Sequence, residues 1–311
     1  MSRTTFLALF ILCFPVISSC ESTSCEQSIP VDVRDRFGHF VSGLQSASFD
    51  FHSYGQPVSV RSASVPTGPR RVVLLLDTSG SISRPDGPWS QARYIAEHVA
   101  ASPAEIRLAL VIFAGRILET YDFSQPREEI IHRLQELKNA DALVPNNAHQ
   151  TALWDSMLSA ITLFGTPQIG DAIYAITDAG DNHSHATSAQ VRRSLLAQRV
   201  RMFALGLERR DFPSEEEKSG IEELSRLAEA SGGSYESVDQ RAKDATTRIK
   251  TTASEFYDKI AYFYRMEVAG PTSNKVAPLK LTIADTNRTK RGDLTVAYPR
   301  EMMPCQAANT R

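Results

Sequence analysis

A surplus of positive charge is missing from this chain: 34 Lys and Arg stand against 36 Asp and Glu, a formal net charge of -2. A nucleic-acid binder neutralises phosphates with excess Lys and Arg, so no nucleic-acid partner is expected. The basic pairs Arg192-Arg193 and Arg209-Arg210 read as a solvated helix face and a loop. Catalytic signatures are missing as well. There is no Walker A loop and no His-Glu-x-x-His. The nucleophile elbow Gly-x-Ser-x-Gly is also absent, since Ser81 is followed by Ile82 and not by a close Gly. No internal repeat or low-complexity segment occurs. Cysteine is scarce, four in 311 residues. The hydrophobic fraction of 42% is ordinary, and the length suits one large domain with a smaller one.

The first apolar run, Phe6 to Ile17 behind Arg3, is too short to cross a bilayer and has the form of an export signal. Residues 1–20 are therefore set aside from the fold. Ile17-Ser18-Ser19-Cys20 resembles a bacterial lipobox, which makes Cys20 the expected site of lipidation and its lipid the one expected contact with a membrane. Ordinary signal cleavage nearby is the alternative. Either way the chain is expected to be exported, to the periplasm, the outer membrane or the cell surface. Cys13 leaves with the signal. With Cys20 lipidated, Cys25 and Cys305 remain in a disulfide-permissive compartment. A bridge between them would close a very long loop, stabilising by roughly 4 to 5 kcal/mol in the chain-entropy model. Without lipidation three cysteines remain and one is left over.

Two kinds of hydrophobic pattern divide the rest. From Ser28 to Val65 apolar residues alternate with polar ones, as in Val31 and Val33 or Val58 and Val60, and Phe40-Val41 opens a further strand. So few strands cannot bury a core alone. After a linker at Pro66–Pro69 the runs Arg71–Leu76, Ile106–Phe113, Ala172–Thr177 and Met202–Leu207 are continuously apolar, the form of strands buried on both faces. Helical stretches lie between and after them, at Trp89–Ala101, Arg127–Lys138, from Leu153, at Ser188–Gln198 and at Glu222–Ala230, the last ended by Gly232-Gly233. A long helix follows with Ile249, Ala253, Phe256, Ile260 and Phe263 at helical spacing. From Tyr264 the alternation returns. The expected fold is α/β, a doubly wound, mostly parallel sheet inserted in or flanked by a small antiparallel β domain. The expected division is residues 21–66, an N-terminal β segment; 67–264, the α/β domain; and 265–311, a C-terminal β segment that packs with 21–66.

Three stretches fall at the carboxyl ends of the expected parallel strands or in loops beside them, where ligands of open α/β sheets bind. They are Asp77-Thr78-Ser79-Gly80-Ser81, Gln150-Thr151-Ala152-Leu153-Trp154-Asp155 and Ile176-Thr177-Asp178-Ala179-Gly180-Asp181-Asn182. Asp77, Ser79, Ser81, Thr151 and Asp178 offer two carboxylates and three hydroxyls. These hard oxygen donors suit Mg²⁺, Mn²⁺ or Ca²⁺ and not zinc. With so few charged ligands the ion keeps residual charge and open positions, which water fills until a carboxylate from outside replaces it.

The first stretch resembles the Asp-x-Ser-x-Ser motif of the metal-ion-dependent adhesion site (MIDAS) in von Willebrand factor A domains. Thr151-Ala152-Leu153-Trp154-Asp155 is similar to that family's Thr-Ala-Leu-Tyr-Asp. Ile176 to Asn182 is similar to its Leu-Thr-Asp-Gly-x-Asp-Asn, with Ala179 where the family has Gly. The resemblance spans residues 70 to 264 and implies a Rossmann-like sheet with a metal at its edge. Val31 to Gly38, Val41 to Leu44 and Phe49-Asp50 also resemble the segment before the A domain in exported acidobacterial proteins of this class. The implied function is a non-catalytic, adhesion-type module whose divalent cation bridges to a carboxylate on a partner protein. Two rivals stay open. One is a structural envelope protein in which the ion only stiffens the loops. The other is a hydrolase using Ser79 or Ser81 with His183 or His185.

Overall fold

The computed structural model describes residues 25–83, 87–101, 106–137, 150–208, 214–239, 243–270, 275–284 and 294–304. Cys20, Cys305 and the Cys25 side chain lie outside the described residues, so neither the lipidation nor the disulfide expectation is addressed by it. The chain opens with β1 (Cys25–Arg34), β2 (Phe49–Ser53), β3 (Gln56–Ser64) and β4 (Arg70–Asp77). Then come α1 (Gly80–Ser83), α2 (Trp89–Ala100), β5 (Ile106–Phe113), β6 (Ile117–Tyr121), α3 (Arg127–Glu136) and α4 (Leu153–Thr162). The α/β alternation continues with β7 (Ala172–Thr177), α5 (Ser188–Gln198), β8 (Arg201–Glu208), α6 (Glu215–Ser231), β9 (Ser234–Asp239) and α7 (Ala245–Ala261). Short strands close the described chain: β10 (Tyr264–Gly270), β11 (Ala277–Pro278), β12 (Lys280–Ile283), β13 (Thr295–Ala297) and β14 (Glu301–Met302).

The apolar strands form one sheet in the order β6-β5-β4-β7-β8-β9, with all pairs parallel except β6 against β5. Every residue of β4 is buried, which explains its lack of alternation. Val72, Leu74 and Leu76 pack into the layer that holds residues of α2, α3 and α7. Val73 and Leu75 pack into the opposite layer, with residues of α4, α5 and α6. Successive β-strand side chains point to opposite faces, so one apolar run serves two cores. From β4 the chain moves to β5 on one side and later returns to β7 on the other. The carboxyl end of β4 is therefore the point where the sheet's winding reverses, the place at which open α/β sheets bind ligands.

The alternating strands form a separate antiparallel sheet in the order β12-β2-β3-β10-β1-β13. Its core includes Ile29, Val31, Val33, Phe51, Val58, Tyr264, Met266 and Val268, contributed by both flanks of the α/β segment. β1 and β10 pair over seven positions, from Cys25 opposite Gly270 to Val31 opposite Tyr264.

Three buried arginines join the two sheets. Helix α7 runs straight into β10, and its last carbonyls need donors that the helix itself cannot supply. Arg201 at the start of β8 donates to the carbonyls of Lys259 and Ile260 at 2.8 and 2.9 Å. Arg70 at the start of β4 donates to that of Ala261, and Arg34 at the end of β1 to that of Tyr262, both at 3.3 Å. Cations at the negative end of a helix dipole are favourable on charge grounds as well. Phe263 lies under the guanidinium groups of Arg201 and Arg70, 4.2 and 5.1 Å from its ring centre.

Several local expectations change. β6 is an added edge strand: Ile-Leu-Glu-Thr-Tyr is short and shows neither the strict alternation nor the continuous apolar run by which the other strands are recognised, and its residues are half-buried or exposed. α6 begins at Glu215 and not at Glu222, because Ser214 and Glu217 form a capping box that supports a polar first turn. α7 stops at Ala261, leaving Phe263 outside the helix. Phe40 makes only an isolated bridge to Arg34 and opens no strand. Among the described residues no helix is long and apolar enough to cross a membrane.

Candidate metal centre

Asp77 ends β4 with its side chain fully buried. One carboxylate oxygen accepts the Ser79 N–H at 2.8 Å, a turn the Asp-x-Ser order makes possible. The other accepts the Thr177 hydroxyl from the end of β7 at 2.6 Å. Thr78 anchors the loop to β5, donating its N–H and its hydroxyl to the Phe113 carbonyl. The Ser79 and Ser81 hydroxyls lie 3.3 Å apart. The Ser81 side chain also hydrogen-bonds the Asp178 carboxylate. Asp77, Ser79, Ser81 and Asp178 therefore belong to one bonded cluster at the winding reversal.

Thr151 reaches the same edge by a different route. Its N–H donates to the Asn182 side-chain oxygen at 2.9 Å, and its carbonyl accepts the N–H groups of Asn182 and His183 at 3.0 Å. Asp181 accepts the N–H of Leu153 at 2.8 Å and that of Trp154 at 3.4 Å. It thereby caps α4, whose own N-cap residue, Ala152, offers no side-chain bond. Asp155 returns the contact, accepting the N–H groups of His185 and Ala186 at 2.9 and 2.8 Å. The loop carrying Thr151 and the loop after Asp178 are thus stitched into one piece. Thr177, Asp181, Asn182 and Asp155 were assigned no role from sequence. All four stand inside the three stretches singled out there, but partners so distant along the chain give no local signal.

Ala179, directly after Asp178, has φ of 74°, a left-handed conformation in a residue with a Cβ. That geometry costs about 1 kcal/mol outside glycine. Its surroundings enforce it. Gly220 of α6 sits so close that a Cβ there would come within 1.8 Å of the Ala179 carbonyl oxygen. The helix presses its backbone on the loop that presents Asp178.

Charge is the unresolved quantity at this site. Burial pushes the Asp77 carboxyl up to about 7, and the neighbouring charge of Asp178 adds to the shift. Burial likewise raises Asp178, helped by the nearby charge of Glu217. No Lys, Arg or His is paired with either among the described residues. Two buried carboxylates with hydroxyl neighbours and, among the described residues, no paired cation form an arrangement that a hard divalent cation would neutralise. The donor set fits such an ion. Among the described residues no group of three His, Cys, Asp or Glu side chains forms a metal cage, so hydroxyls must complete the shell. The Ser79 and Ser81 hydroxyls bond to one another, and that of Ser81 bonds to Asp178. His183 and His185 contribute main-chain N–H groups to the loop bonds described above.

No family model matches the sequence, and no curated protein matches it. Solved structures do match. Proximal thread matrix protein 1 from the mussel byssus superposes with a TM-score of 0.51 at 14% identity, over 66% of this chain and 50% of that one. This chain thus spans half of that protein's length, and at such low identity the shared property is the fold. A further structure of the mussel protein has a zinc-occupied MIDAS motif. A von Willebrand factor type A protein from Catenulispora acidiphila aligns over 92% of this chain and 76% of its own, with 13% identity and a TM-score of 0.45. An aerotolerance-related membrane protein from Bacteroides fragilis aligns over 62% and 98%, with 16% identity and a TM-score of 0.48.

The raised carboxyls fix the sign of the pH dependence without metal. The folded chain keeps protons that the unfolded chain has released. The stability this confers is complete below the ordinary Asp value of 3.8 and is lost as pH rises through about 7. Melting with chelator should therefore occur at lower temperature at about pH 8 than at about pH 6, and Mg²⁺ should raise the melting temperature more at the higher pH. An equal Mg²⁺ effect at both would contradict the charge argument. Asn182→Ala removes the acceptor that holds the Thr151 N–H, and Mn²⁺ affinity measured by calorimetry should fall about tenfold with the secondary structure intact.

Proposed function

We propose that this chain, which carries a von Willebrand factor A-type domain, is a metal-dependent protein-binding module. A divalent cation held by Asp77, Ser79, Ser81, Thr151 and Asp178 bridges to a carboxylate on a partner protein. The observation that carries this reading is the pair of buried carboxylates at the ends of β4 and β7, with no cationic side chain paired to them among the described residues. The ion, Mg²⁺, Mn²⁺ or Ca²⁺, supplies the positive charge that a guest carboxylate recognises. The protein does the rest. Asp77 and Asp178 neutralise part of that charge. Ser79, Ser81 and Thr151 add neutral oxygen donors, so the site stays net attractive to an anion. The Asp181 and Asn182 bonds keep the Thr151 loop in register with Asp178. The chain binds and does not turn over a substrate.

The same reading places the protein in the cell envelope, with residues 1–20 as its export signal and Cys20 lipidated. It takes 21–66 and 265–311 as one β domain split by the α/β segment, which the pairing of β1 and β3 with β10 supports. It also includes a Cys25–Cys305 disulfide. Gln27 Nε2 donates to the Met303 carbonyl at 2.7 Å, so positions two residues from each cysteine lie side by side.

Asp77→Asn tests the function. It keeps an oxygen for the Ser79 N–H and relieves the like-charge contact. The variant should fold at least as stably as wild type while Mg²⁺ affinity drops by about a hundredfold or more. Retention of a partner from an envelope extract should require Mg²⁺ in wild type and fail in the variant. Undiminished Mg²⁺ uptake by the variant would refute the ligand set, and unfolding of wild type on chelation would favour the purely structural ion. The intact mass of the mature protein tests the flanks. A diacylated N-terminal cysteine and a mass two hydrogens below the reduced chain are expected, and an unmodified Cys20 or free thiols at Cys25 and Cys305 would reject the corresponding part.

A further inference from the structure

Helix α6 begins with three glutamates, Glu215, Glu216 and Glu217. Two are engaged by the helix's own first turn. Glu215 pairs with Lys218 at 2.6 Å. The Glu217 carboxylate accepts the Ser214 N–H at 2.7 Å, half of the capping box. Glu216 has no such partner among the described residues and is exposed. Its position along the helix sets where it points. Glu216, Gly220, Leu224 and Leu227 recur at the spacing of one helix face, and the last three are buried against the α/β core. Gly220 is the residue whose backbone presses on the Ala179 carbonyl. One turn earlier on that face, Glu216 is carried over the loop that presents Asp178.

The distances agree with this placement. The point a Cβ on Gly180 would occupy is 3.4 Å from a Glu216 carboxylate oxygen and 3.7 Å from Asp178 Oδ1, so the two oxygens are at most about 7 Å apart. Oxygens on opposite sides of one Ca²⁺ or Mg²⁺ ion stand on the order of 4 to 5 Å apart. A glutamate can close a gap of a few ångströms by changing rotamer, with no backbone movement.

We propose that Glu216 is a ligand supplied by the chain itself for the open position of the metal centre, and that a partner's carboxylate binds by displacing it. The inference rests on the metal-binding reading above and specifies its regulation. The resting site closes on its own side chain, which raises cation affinity by one carboxylate. A weakly acidic or monodentate guest is rejected, because it must compete with a group tethered beside the ion at high effective concentration. A guest that brings further contacts displaces Glu216, which swings back into solvent.

Mn²⁺ bound to the full-length protein, followed by water-proton relaxation, tests this directly. Glu216→Gln should bind Mn²⁺ about tenfold more weakly. Each bound Mn²⁺ should relax water more strongly, because water fills the vacated position, and acetate should compete for that position at about tenfold lower concentration. Glu216→Asp keeps the charge and loses the reach, so ligation requires it to behave like the Gln variant. Glu215→Gln should behave like wild type. Relaxation per bound Mn²⁺ that is unchanged in Glu216→Gln overturns the proposal, as does an equal change in Glu215→Gln or a wild-type response in Glu216→Asp. Either of these last two results would make the effect one of general charge. A wild-type protein that takes up no Mn²⁺ removes the metal reading as well, whereas normal uptake with unchanged relaxation removes this inference alone.

Discussion

Two carboxylates kept out of water within each other's field, at Asp77 and Asp178, set the problem that the surrounding structure answers. An isolated buried charge is costly, and a like-charged neighbour adds to the cost. Ser79, Ser81 and Thr177 offset part of it by hydrogen bonding, but hydroxyls bring no positive charge. A divalent cation would make up the remaining deficit. A proton and a metal ion would relieve the same charge, so metal binding at this pair of side chains would depend on pH.

Placing such a pair demands rigidity, and the fold supplies it from behind. The continuous apolar strands pin β4 and β7 between two helical layers, so their carboxyl ends cannot drift apart without opening both cores. The loops are held less by packing than by bonds between distant segments. Asp181 caps a helix that starts 28 residues earlier, and Asn182 holds the main chain of Thr151. Ala179 stays left-handed because α6 leans on its carbonyl through a glycine. Strain of this kind persists only where the surroundings over-determine it.

The opposite end of the sheet carries the other concentration of buried charge. Arg201, Arg70 and Arg34 come from three strands and converge on the last four carbonyls between Lys259 and Tyr262. Here the cations are supplied by the protein and the partial negative charge by the end of α7. The two ends of the α/β segment thus solve converse problems. At one, helix and strand ends share fixed guanidinium groups and join a second sheet. At the other, two buried carboxylates have no cationic partner among the described residues.

Much of the plan is legible along the chain. Runs such as Arg71 to Leu76 announce strands buried on both faces. The return of alternation after Tyr264 announces a second kind of sheet, and Gly232 marks the end of α6 with φ of 79°. The stretches around Asp77, Thr151 and Asp178 stand out because oxygen-bearing residues cluster where parallel strands end. Periodicity is a local property, so it can be read locally. What only the tertiary structure decided depends on partners far apart in sequence. The half-buried β6 finds its place only through β5. Arg201 reads as an ordinary charged residue until α7 ends against it, and Asp181 as a loop acid until α4 needs a cap. Glu216 is one of three identical neighbours until Gly220 brings its face of the helix onto the Asp178 loop. Sequence determined which residues could bury and which could ligate. Long-range packing decided which charges were left uncompensated, because compensation depends on distance in space and not on position along the chain.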